Sequence, residues 1–145
     1  MSGAEIEISL RFPTPVIDET VLKLLPDGCE AFLQEELSRR HIEGISLEPE
    51  VSSFGRVGAA AWHPASRKIF LNASYDEKAL IRCVEGVMRI WTGVDAKIAR
   101  LFTTLHEIRH SDGFESEDAC DEYARDRVLA WWRGRERRRI ANPTS

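Results

Sequence analysis

An α+β domain is predicted by three features of this sequence. Alternating and short apolar segments occupy the first half, two adjacent β-like runs lie near the middle, and three amphipathic helical stretches fill the rest. A chain of 145 residues can bury one sizeable core, so a single domain over 1–145 is expected. With 43% hydrophobic and 30% charged residues, the composition excludes a disordered or membrane-spanning class. No apolar run approaches the roughly 20 residues needed to cross a bilayer. Met1-Ser2-Gly3-Ala4-Glu5 does not open a signal peptide, so the expected location is cytoplasmic, with no membrane partner. Cys29, Cys83 and Cys120 are odd in number and widely spaced, which predicts three reduced thiols rather than a disulfide framework. A net charge of −4 provides no general attraction to nucleic acid.

Glu5 to Phe12 alternates polar Glu5, Glu7, Ser9 and Arg11 with Ile6, Ile8, Leu10 and Phe12, the period of a half-buried strand. Pro13 and Pro15 end it. Asp18 caps a short helical turn through Val21, Leu22 and Leu25, and Pro26-Asp27-Gly28 is a turn or the start of the next helix. Phe32, Leu33 and Leu37 recur at helical spacing between Cys29 and His41, and Gly44 closes that helix. Ile45 to Val51 reads as a strand near a sheet edge, because it contains Pro49. Val57 to Trp62 and Arg67 to Asn72 form a hairpin around His63-Pro64-Ala65-Ser66. Asp76 to Trp91 is a helix carrying Leu80, Val84, Val87, Met88 and Trp91, stopped by Thr92-Gly93. Asp95 caps the next, which buries Ile98, Leu101, Phe102, Leu105 and Ile108 until Ser111-Asp112-Gly113 breaks it. The last helix runs from about Glu115 through Tyr123, Val128, Leu129 and Trp132.

The penultimate helix contains His106-Glu107-Ile108-Arg109-His110. Residues four apart share a helix face, so His106 and His110 can offer two imidazole nitrogens to one ion. Glu107 stands beside the first of them, where a carboxylate can take the proton of a metal-activated water. Catalytic zinc normally has three protein ligands, and the candidates beyond the break are Asp112, Glu115, Glu117, Asp118 and Asp121. Glu117 and Asp121 lie four apart on one helix face. One can bind the metal while the other accepts from the far nitrogen of a ligating histidine.

A His-Glu-x-x-His helix followed by a helix bearing Glu-x-x-x-Asp resembles the gluzincin metallopeptidases. The compact form Glu117-Asp118-Ala119-Cys120-Asp121-Glu122-Tyr123-Ala124 is similar to minigluzincins and to ImmA/IrrE-type peptidases. The hairpin Ala60-Ala61-Trp62-His63-Pro64 and Ile69-Phe70-Leu71-Asn72 resembles the strand pair flanking the cleft in those families. The likeness extends over about Val57 to Leu129. It implies a zincin-like fold: a small, mostly antiparallel sheet, a backing helix, an active-site helix and a C-terminal glutamate helix. It also implies a Zn2+ ion held by His106, His110 and Glu117, with Glu107 as general base and Asp121 supporting a ligand histidine. The implied activity is hydrolysis of a peptide bond in a specific intracellular protein. Cys120 replaces the usual alanine, and the link from His110 to Glu117 is short, which keeps Asp112 and Glu115 as alternative third ligands.

Hydrolysis by this route also needs an oxyanion donor. Tyr75, His63, Tyr123 and Arg125 are the candidates, although Arg125, one turn beyond Asp121, is more simply its ion-pair partner. Cys120 reads as a small packed residue, with a regulatory thiol as the alternative. His41 reads as a cation at a helix C-terminus and Arg109 as a surface or salt-bridge residue. The tail over 133–145 opens with the basic run Arg133-Gly134-Arg135-Glu136-Arg137-Arg138-Arg139, either a solvated helix end or a nucleic-acid contact. The competing function is therefore a catalytically silent zincin-fold regulatory or binding module. A third is a proenzyme whose own chain occupies the cleft.

Overall fold

A computed structural model describes residues 13–48, 58–89 and 93–141. The expected strand Glu5 to Phe12 lies outside them, as do Pro49 to Val57, Trp91 and Thr92. The elements are β1 (Val16–Ile17), α1 (Glu19–Leu22), α2 (Glu30–Ser38), β2 (Gly44–Leu47), β3 (Ala60–His63), β4 (Lys68–Leu71), α3 (Glu77–Met88), α4 (Ala96–His110) and α5 (Glu117–Ala141). The class is α+β, with a sheet that among the described residues has four strands in the order β1-β2-β4-β3.

Two expectations about that sheet are corrected. Among the described residues it is mixed rather than mostly antiparallel: β1 with β2 and β2 with β4 are parallel, and the hairpin pair β3–β4 is antiparallel. The chain reaches β2 from β1 through α1 and α2, the helical crossover that a parallel pairing requires. A strand of two residues between Pro15 and Asp18 has no periodicity by which to be read. β2 is also an inner strand, flanked by β1 and β4, rather than an edge.

Gly44 has a different role from the one its position suggested. It does not end α2. A Cβ placed there would stand 2.0 Å from the Val16 carbonyl oxygen, so glycine is what allows β1 to lie against β2. The helix stop is made by His41 at φ 55°, with Ile42 N–H donating to Leu37 O and His41 N–H to Ser38 O, a Schellman closure.

Two of the three long helices of the second half begin where their caps predict. Asp76 accepts from the Lys78 and Ala79 amides, and Asp95 accepts from Ile98 at 2.8 Å. α4 is the hub of the molecule. It packs on α5, α3, β3 and β4, and buries Ile98, Ala99, Leu101, Phe102, Thr104, Leu105, Glu107 and Ile108. A helix contacted on several sides buries more than one stripe, and this is why Glu107 can be buried in a segment that is otherwise apolar. α5 supplies Cys120, Ala124, Val128 and Trp131 to the core, then continues outward, exposed, to Ala141. No helix among the described residues is long and apolar enough to cross a membrane.

Candidate metal centre

Between His110 and Glu117 the chain reverses direction in one turn. Gly113 takes φ 94°, and its amide donates to His110 O at 2.9 Å. Asp112 anchors the turn by accepting from Arg40 Nε at 2.9 and 3.1 Å and from Arg109 at 3.0 Å. The reversal returns the Phe114 carbonyl to His110, whose Nδ1 donates to it at 2.7 Å. It also lays α5 along α4 with the face bearing Glu117, Cys120 and Asp121 turned to the histidines. The short link therefore does not keep Glu117 away.

Asp121 Oδ1 lies 2.7 Å from His106 Nδ1. A carbonyl oxygen and a carboxylate only accept, so both Nδ1 atoms carry protons. In the neutral rings, each Nε2 is then a bare lone pair. These two atoms stand 3.1 Å apart, and the Glu117 carboxylate lies 2.9 Å from His106 Nε2 and 3.0 Å from His110 Nε2. Three acceptors so close repel one another unless a cation or a shared proton lies among them. Nitrogen and oxygen ligands around one tetrahedral zinc stand about 3.3–3.5 Å apart, so this donor set fits such an ion in chemistry and would open by about 0.2–0.6 Å to hold it.

Glu107 closes the triangle from the sheet side. Its Oε1 accepts from the Trp62 amide of β3 at 3.1 Å, and its Oε2 lies 3.9 Å from both Nε2 atoms. Beneath the group lies Cys120, fully buried, its Sγ and one atom from each histidine all within 4.8 Å of one another. Burial pushes its thiol up to about 11, with the carboxylates of Glu117, Glu107 and Asp121 adding to the shift. His106, His110 and Cys120 thus form a cluster able to hold a metal. Cys120 is the member that spacing did not bring forward, since its sequence signal was only a departure from alanine.

The cluster opens onto a cleft of about 550 Å³ whose walls include Ala59, Ala60, Trp62 and Pro64 on one side and Thr103, Phe114 and Glu115 on the other. The four oxyanion candidates do not line it. Tyr123 donates its hydroxyl to Glu36 at 2.6 Å and accepts from Arg40 at 2.7 Å; burial and the Glu36 charge raise its pKa. Arg125 pairs with Asp126 at 3.4 Å instead of Asp121 and lines a separate hollow with Gly86 and Glu122. His63 Nδ1 lies 2.7 Å from Ser66 Oγ, with its ring edge-on to Phe70, and Tyr75 packs against the core. Asp112 is committed to its two arginines, which removes it as a third ligand, while Glu115 lines the cleft.

Sequence reasoning also passed over Glu36. It is fully buried, and Arg40, Tyr123 and Arg127 satisfy its carboxylate at 2.6–2.9 Å. Two of those partners lie on α5, too distant in sequence for any local pattern to announce.

Compared with models of known protein families, with characterised proteins and with solved structures, the chain shows no match.

Proposed function

We propose that this chain is a zinc-dependent metallopeptidase acting on a peptide or protein substrate in the cytoplasm. One observation carries the reading: two imidazole Nε2 atoms and a carboxylate converge within 3.1 Å, with the Glu107 carboxylate facing both nitrogens from 3.9 Å. His106, His110 and Glu117 would hold the ion. Bound there, zinc would supply Lewis acidity toward the scissile carbonyl and a water acidic enough to lose a proton near neutral pH. Asp121 and the Phe114 carbonyl hold the two rings in the tautomer that points lone pairs inward. The Trp62 amide fixes Glu107 Oε1, and this turns Oε2 toward the centre as the oxygen that accepts the water proton and passes it to the leaving amine.

The test pairs metal content with cleavage. Purified protein should carry about one zinc per chain, lost in H106A and reduced in E117A. A peptide-library digest should give products that disappear in E107Q, with a fall of roughly 10²–10⁴-fold while zinc stays bound. Full activity in E107Q would refute the base assignment, and absence of metal after zinc is supplied would refute the whole reading.

A further inference from the structure

We infer that Cys120 is an inner alternative to Glu117 as the third protein ligand, making the centre able to take thiophilic ions through sulfur. The inference rests on the metal-centre reading above and extends it to a donor of different chemistry. Cys120 has no exposed surface, and its Sγ shares a 4.8 Å cluster with one atom each of His106 and His110. Nitrogen at 2.0–2.1 Å and sulfur at 2.3 Å around one tetrahedral ion stand about 3.6 Å apart, so ligation asks for a closure of at most about 1.2 Å. The thiol's contact with the Phe114 carbonyl is 3.7 Å, a weak bond to give up.

Helix register gives the two donors opposite circumstances. Glu117 and Cys120 lie three apart on the same face of α5, one at the rim and one beneath it. The Glu117 side chain is 72% exposed, so its carboxylate can withdraw into water at little cost in desolvation. Sulfur can then enter from below. In that exchange the Cys120 S–H bond breaks, a metal–sulfur bond forms and the proton leaves to solvent. Hard ions favour the outer carboxylate, and soft ions such as Cd2+ favour the inner thiolate.

Cobalt(II) titration separates the outcomes, because cobalt reports its own binding through visible d–d bands and thiolate ligation through a near-ultraviolet sulfur-to-cobalt band. The expected result is both signals saturating near one equivalent. The charge-transfer band should vanish in C120A and in C120S while the d–d bands persist, and it should remain in E117Q. Persistence of the d–d bands also shows that the variants fold. Saturating d–d bands without the charge-transfer band in the unmodified protein, or a band surviving C120A, would overturn the inference and leave the metal centre standing. Absence of both signals would overturn the centre itself.

Discussion

At the residue scale, the decisive contrast is between His106 and His110, two identical side chains whose tautomers are set by different means. His106 depends on a charged side chain from α5, whereas His110 depends on a backbone carbonyl that no substitution removes directly. Asp121→Ala should therefore weaken zinc binding by roughly 10–100-fold, read by competition with a chromophoric chelator. Asp121→Asn should recover part of the loss, because its amide oxygen still accepts from Nδ1. An affinity unchanged in D121A would mean that His106 needs no orienting partner. The pairing of His106, His110, Glu117 and Asp121 was legible before any fold was known, since i, i+4 spacing on two helices places each pair on one face. Cys120 was not, because a single small residue in a packed face carries no periodic signal. The oxyanion candidates were illegible for a related reason. Tyr123 and Arg125 share a helix with Glu117 and Asp121, but their side chains leave it in other directions, and spacing along one helix does not say which neighbour each will meet.

At the element scale, the turn between α4 and α5 controls the centre. Gly113 holds φ 94°, a region that disfavours any Cβ, although no atom within 4 Å would obstruct one. Gly113→Ala should thus cost about 1–3 kcal/mol through backbone strain alone, measured by denaturant unfolding. The same change should lower zinc affinity, because the strained turn carries the Phe114 carbonyl that orients His110. Gly44→Ala fails by another route: the new methyl meets the Val16 carbonyl oxygen at 2.0 Å, and the β1–β2 pairing must open. In G44A the unfolding midpoint should fall while zinc affinity, set at the opposite side of the sheet, changes little. A large loss of zinc affinity in G44A would show that the first strand and the metal centre are coupled. Helix starts at Asp76 and Asp95 were readable because capping is a local interaction. The parallel pairing of β1 with β2 was not, because it joins segments far apart in sequence through a strand of two residues.

At the scale of the whole molecule, the helices of the first and second halves are tied by charge as well as by apolar packing. Glu36 on α2 is wholly buried and holds Tyr123 and Arg127 of α5, while Arg40 reaches from the same segment to Asp112 beside the centre. Cys29, at the start of α2, is a buried member of the apolar core cluster. Burial pushes its thiol from 9.0 up to about 11. Well below pH 9 the thiol is protonated in folded and unfolded chains alike, so it has no effect on the pH dependence of stability there. Between about pH 9 and 11 the unfolded chain releases this proton and the folded chain keeps it, so stability falls as pH rises. At about 1.4 kcal/mol per pKa unit the loss approaches roughly 2–3 kcal/mol by pH 11. Urea unfolding of the metal-free protein from pH 8 to 11 should show this decline, and Cys29→Ala should flatten it by one group's share. Cys120 and Tyr123 shift in the same direction and keep the remaining slope negative. Identical slopes in C29A and the unmodified chain would mean that the Cys29 thiol titrates alike folded and unfolded, and that its pocket admits water.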